Sequence, residues 1–260
     1  MKAHKTAIVS DKAKIAKSVE IGPYSIIEEG VTVGQGTKIG PHACIYKGTT
    51  IGKECHIHAG VVLGDEPQDL DFEGKDSFAR IGDRNTFREY ATVHRGTKEG
   101  SSTEIGNDNY FMAFSHIAHN CLIGNGVIIC NNTLLAGHVI IEDKAFISAG
   151  CLLHQFIRIG TLSIIGGGVK IGKDLPPFMM SSINNVTDSY NVIGIKRANL
   201  SLEARKEIKN AYNTIYRSGM NLANALAELE KTNPGKEVQY LLKFIRASER
   251  GICFNRSNRK

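Results

Sequence analysis

The sequence offers no long hydrophobic run. Nowhere in its 260 residues do 18 apolar residues follow one another, so no ordinary membrane-spanning helix and no stable membrane insertion are expected. The start, Met1-Lys2-Ala3-His4-Lys5, is charged and leads into no apolar leader core. The six cysteines form no CxxC pair and no disulfide-like spacing, so reduced thiols in a cytoplasm are expected. Acidic residues are scarce at one end only. Residues 196–260 carry 14 Lys+Arg against 6 Asp+Glu, whereas the remainder carries 18 against 20. A basic end on a near-neutral body fits an acidic partner, although a solvated helical surface has the same composition. No nucleic-acid partner is expected. The hydrophobic content, 42%, is enough for a sizeable core.

What is present is a repeat of six. Counting in sixes from Val9 meets Ile15, Ile21, Ile27, Val33 and so on to Leu63, resumes in phase at Ile81, Phe87 and Val93, and, after Glu99, runs from Ile105 to Ile171. The next residue is often glycine, as at Gly22, Gly34, Gly82 and Gly106, and the fourth after each apolar position is small or β-branched, as at Ser25, Thr37, Cys55 and Cys151. A helical face needs a period of 3.6, whereas six suits a short strand plus a turn. Three such units close a triangular coil of 18 residues. The apolar residue points inward, the small one sits near a corner, and the glycines are expected in turn conformations. Eight or nine coils, stacked roughly 4.8 Å apart, give a prism on the order of 40 Å long.

Segment 64–80 is polar and carries Pro67; with a shorter excursion at about 96–104 it reads as a loop leaving the prism. The repeat ends at Asp174-Leu175-Pro176-Pro177, where prolines are expected to stop strand pairing. Helical periodicity follows. Ser201 caps a helix with Leu202, Ile208, Ala211, Tyr212 and Ile215 on one side; Asn221 caps a second reaching about Lys231; Val238, Leu241, Leu242 and Ile245 stripe a third. The tail 251–260 reads as frayed. The expected fold is mainly β: a parallel β-helix over 1–190, then a small C-terminal helical domain over 191–260.

Positions 117, 135 and 153 are 18 apart and share one face. His119, Gly137 with His138, and His154 are therefore expected to climb one edge at successive levels. A single histidine at a turn needs no function; a stacked set points to chemistry. A neutral imidazole can take a proton from a hydroxyl, and a neighbouring glycine lets a backbone N–H approach an oxyanion. Zinc is the rival, since three histidines on adjacent coils can bind it, as in the carbonic anhydrases that share such a prism. Against it, His116 and His119, three apart on a strand segment, point to opposite faces.

The repeat resembles that of the hexapeptide-repeat acyltransferases, whose β-helix is left-handed. Within them the chain is similar to the UDP-N-acetylglucosamine acyltransferases through Pro67-Gln68-Asp69-Leu70, His94-Arg95-Gly96-Thr97, His116-Ile117-Ala118-His119, Leu135-Ala136-Gly137-His138, His154-Gln155-Phe156 and Lys196-Arg197. The resemblance implies a homotrimer that passes a 3-hydroxyacyl chain from acyl carrier protein to the 3-hydroxyl of the UDP-sugar, the first step of lipid A synthesis. No cofactor is implied, because the carrier's phosphopantetheine brings the acyl group. His119 would be the general base and the Gly137 N–H the oxyanion donor. His94, His116, His138, His154 and Gln155 would line substrate; Gln68 and Asp69 would reach it from the loop. Asn191 and Arg197 would hold the nucleotide end, and Gly167 falls where chain length is set. The site would lie between subunits, and an acidic carrier protein would suit the basic C-terminal helices. Two departures matter. Asn120 stands where many members have Asp, and Ala198 removes a cation from the usual Lys-Arg-Arg. A coenzyme A-dependent acetyltransferase or an assembly scaffold would share the prism.

Overall fold

The computed structural model describes residues 1–254. Most strands are two residues long, and along the body of the stack the same division recurs: in His116–Ile117, Leu134–Leu135 and Leu152–Leu153 the second residue is buried and the first faces out. A strand that short buries one side chain on each face of the coil, which is what a period of six encodes. The strands form three sheets of 11, 9 and 8 members. Within a sheet each strand pairs in parallel with the strand one coil later, as His116 with Leu134 and Leu134 with Leu152. The three sheets are the faces of the prism, and the apolar positions fill its axis from Val19 to Ile171.

The excursions keep the phase. Ile51 pairs with Ile81 and Ile81 with Ile105, so the first adds two repeat units to a coil and the second adds one. The small residues near the corners are explained by polar satisfaction as well as by size. Buried Ser25, Thr37, Thr133 and Ser163 each donate a hydroxyl to a carbonyl at the next corner, at 2.7–2.9 Å.

The repeat glycines are explained differently from the sequence expectation. The left-handed turn lies two residues further on, at positions such as Tyr24, Asn120, His138 and Phe156, with φ of 57–64°. Glycine is needed beside the apolar residue because consecutive coils touch there. A Cβ on Gly34 would lie 2.6 Å from the backbone of Gly52, and one on Gly106 2.6 Å from Gly124 O.

Nor do the two prolines end the pairing. Met179–Ser181 adds in parallel to Ile164–Ile165, and only then does the antiparallel Ser189–Tyr190 close the stack. Pro176 and Pro177 occupy the preceding turn, where no ladder N–H is required. Among the described residues four helices follow: α1 (Val192–Arg197), α2 (Leu202–Tyr216), α3 (Leu222–Lys231) and α4 (Lys236–Arg246). The caps Ser201 and Asn221 accept N–H bonds as expected. Helix α1, six residues long and capped by Asn191, is too short to show a period. Leu202 is exposed rather than packed. Of the tail expected to fray, Ile252 and Cys253 are buried, and Cys253 N–H bonds Asp174 O; residues 255–260 lie outside the described residues. Arg158 joins α4 to the prism, donating to Phe244 O at 2.8 Å and to Asp174 at 3.0 Å.

Candidate active site

His119 sits at a corner, one residue before the left-handed Asn120. Its ring lies across Gly137 of the next coil, where a Cβ would come within 2.3 Å of Cε1 and 2.5 Å of Nε2. This close approach is why position 137 is glycine. Among the described residues the Gly137 N–H has no acceptor. His138 N–H bonds His119 O at 3.0 Å, and the two imidazoles meet edge to face with centroids 5.3 Å apart. His119 Nδ1 is 3.0 Å from Asn120 Oδ1. Nε2 stands 3.9 Å from Asp69 Oδ2, too far for a hydrogen bond but close enough for one substrate hydroxyl to touch both.

Behind His119 lies a second imidazole pair. His94 and His116 meet edge to face at 4.8 Å, and His116 Nδ1 is 2.7 Å from Thr92 Oγ1. Burial, reinforced by the neighbouring imidazoles, pushes His116 down to about 4. Burial likewise lowers His94 and His138. The cluster is therefore neutral near pH 7 and adds no cation that would discourage proton uptake by His119. Among the described residues no group of three His, Cys, Asp or Glu is arranged to hold a metal ion.

The first loop delivers Asp69 because its base is fastened. The side chain of Arg95, 3% exposed, donates to Gly64 O and Glu66 at 3.2 Å and lies over the Phe72 ring. Nothing local in the sequence marks Arg95 for this role, because its partners lie some thirty residues back in the chain. Gln68 is exposed next to Asp69.

The expected single column of histidines is divided. Gln155, not His154, is the coil equivalent of Gly137, and His138 stacks on Phe156 at 4.6 Å. His154 lies one residue back, 3.4 Å from Arg250 of the C-terminal segment. A groove of about 440 Å³ runs past Asn120, His138, Phe156, Arg158 and Arg250. Larger hollows of about 800 and 730 Å³ lie on the flat faces of the prism; neither includes His119. Gly167 is exposed, and a Cβ on it would meet only Ala149 O, at 3.6 Å. Asn191 is buried and engaged by the fold, its amide donating to Leu162 O and accepting from Gly194 N–H, both at 2.7 Å. Arg197 is exposed at the end of α1.

Known proteins share this architecture. The family described as UDP N-acetylglucosamine O-acyltransferase, domain 2, matches residues 174–253; the bacterial transferase hexapeptide (six repeats) matches 30–65 and 102–137. An acyl-(acyl-carrier-protein)–UDP-N-acetylglucosamine O-acyltransferase of Anaeromyxobacter dehalogenans is 43% identical over 97% of this chain and 99% of its own. One from Thermodesulfovibrio yellowstonii is 44% identical over 96% and 98%. The crystal structure of a UDP-N-acetylglucosamine acyltransferase from Bacteroides fragilis superposes with a TM-score of 0.93 at 43% identity, covering 96% of this chain and 98% of that one. With a shared fold, near-complete coverage and identities of 43–44%, the chain belongs to the UDP-N-acetylglucosamine O-acyltransferases of the hexapeptide-repeat superfamily.

Proposed function

We propose that this enzyme moves a 3-hydroxyacyl chain from acyl carrier protein to the 3-hydroxyl of UDP-N-acetylglucosamine, with His119 as general base. The observation that carries the reading is His119 Nε2 lying over Gly137 and facing Asp69 across 3.9 Å. Nε2 takes the hydroxyl proton as the sugar oxygen attacks the thioester carbonyl. The Gly137 N–H donates to the oxyanion. Collapse breaks the carbon–sulfur bond, and the imidazolium returns its proton to the departing thiolate. Each atom is accounted for without a cofactor.

The assembly we propose is a homotrimer with the site between subunits. Outward-facing Leu134 and Leu152, 44% and 39% exposed, share a sheet face with His116, and such an apolar row calls for a partner surface. The basic C-terminal helices suit an acidic carrier protein. A cytoplasmic location agrees with six free cysteines and with the absence, among the described residues, of any helix long and apolar enough to cross a membrane. His119→Ala tests the reading. Mass spectrometry of product from UDP-N-acetylglucosamine and a ladder of 3-hydroxyacyl carrier proteins should show the rate falling by about 10²–10⁴-fold. A wild-type rate would overturn it.

A further inference from the structure

We propose that Thr97 is a positioning residue: through Asn120 it fixes His119 in the tautomer that leaves Nε2 free to accept a proton. The proposal rests on the acyl-transfer reading above and explains how the site works with an amide where a carboxylate is usual.

The two ends of an asparagine amide look alike but behave oppositely, one accepting and the other donating. If the nitrogen faced His119, Nδ1 would have to accept, and the proton would sit on Nε2, where a general base needs a lone pair. The end that faces His119 is settled by a third group. The backbone N–H of Thr97, which can only donate, lies 3.1 Å from the Asn120 atom that faces His119 Nδ1. That atom must therefore be oxygen. The Thr97 hydroxyl reinforces the choice at 3.0 Å. Nδ1 then carries the hydrogen and donates to Asn120 Oδ1.

Thr97 is present because of the second excursion. That segment is tied at both ends: Gly96 N–H bonds Phe78 O and Gly100 N–H bonds Asp76 O, while Ser101 closes the turn by bonding Lys98 at both its N–H and its carbonyl. On its other side, Asn120 N–H bonds Thr103 Oγ1 at 2.8 Å. The extra repeat unit thus carries two donors, and both point at the partner of the base.

A neutral amide also sets the pH response. Asn120 holds the tautomer but adds no charge to favour imidazolium. The charged and titratable groups facing His119 are Asp69 from the first loop, His94 from the preceding coil, His116 from its own coil and His138 from the next, with Lys98 beside His138. Of these, Asp69 supplies the negative charge and stays in every variant below.

The experiment is ¹⁵N NMR of the His119 ring together with pH profiles of kcat/KM. Wild type should show the Nδ1–H tautomer. Asn120→Leu should move the ring toward Nε2–H and lower kcat about 10²-fold; Leu162 already occupies an equivalent left-handed turn with φ of 56°, so the fold accepts leucine there. Asn120→Asp should keep the tautomer and move the acid limb upward by about one pH unit or more, because a carboxylate favours imidazolium. Thr97→Val keeps the backbone N–H and loses only the hydroxyl bond, so it should retain the Nδ1–H tautomer but hold it less firmly, lowering kcat severalfold at unchanged KM, with Thr97→Ser restoring it. An Nε2–H ring in wild type, or unchanged rates and pH profiles in Thr97→Val and Asn120→Asp alongside an inactive His119→Ala, would overturn the positioning role alone. An active His119→Ala would overturn the acyl-transfer reading together with it.

Discussion

At the scale of single residues, the site is governed by what is missing at Gly137 and by how dry its histidines are. Gly137→Ala would put a methyl group 2.3 Å from His119 Cε1. The clash is with a side chain that can swing away, so the fold should survive while the base is displaced. We expect activity to fall about 10²-fold with a melting temperature close to wild type; an active Gly137→Ala enzyme would refute the close approach. His116 carries a separate prediction. Its folded value is pushed down to about 4, whereas in an unfolded chain it titrates near 6.5. As pH falls below about 6.5 the unfolded state takes the proton first, so stability declines until the folded site also protonates near 4. The slope for one such group is about 1.4 kcal/mol per pH unit. Denaturation at pH 7.5 and pH 5 should show His116→Gln losing less stability than wild type; equal losses would mean the imidazole is not held neutral by the fold.

At the scale of elements, the corner geometry separates three kinds of glycine. Gly106→Ala forces a Cβ to 2.6 Å from Gly124 O and should cost roughly 1–3 kcal/mol. Gly126 is in the left-handed region, φ 65°, with only Lys144 Cγ nearby, at 3.4 Å, so alanine there should cost about 1–2 kcal/mol. Gly172, in the same repeat position as Gly106, meets nothing closer than 3.6 Å and should tolerate alanine. A denaturant midpoint for Gly106→Ala no lower than that for Gly172→Ala would reject coil contact as the reason for the repeat glycine. The first loop offers a comparable test. Arg95→Met keeps the aliphatic stem but removes the bonds to Gly64 and Glu66. Proteolysis between residues 66 and 76 should then be faster and KM should rise, since Asp69 is no longer held near His119. Unchanged cleavage would show that the loop is held by other contacts. The excursions themselves were visible as breaks in a phase of six. Their anchoring was not, because Arg95 bonds backbone some thirty residues away in the chain.

At the scale of the whole molecule, a stack of coils is close to one-dimensional: each coil touches mainly its neighbours. Such a prism has flat faces, and the apolar ones need covering. Leu134→Asp with Leu152→Asp should convert the proposed trimer to monomers and abolish activity while leaving the circular dichroism of the β-helix in place. A fully active monomer would reject a site shared between subunits.

The sequence alone determined the coil. A period of six with one apolar residue per unit admits a single way to bury that residue, so three faces, eighteen-residue coils and the in-phase excursions followed from counting. It also gave the caps Ser201 and Asn221, because capping is a local hydrogen bond. It brought His119 and Gly137 together for the same reason, since they are one coil apart. Tertiary structure decided what depends on how coils touch and on what crosses between distant segments. Gly106 and its equivalents serve contact rather than turning, and His154 answers to Arg250 rather than to His119. Strand pairing continues past Pro177 because the chain had one more ladder edge to cover. Thr97 reaches Asn120 only because two breaks in the repeat fold back onto the same corner. Periodicity is carried by near neighbours and is legible in one dimension; the orientation of an amide is set by a donor 23 residues away in sequence and exists only once the chain has closed around it.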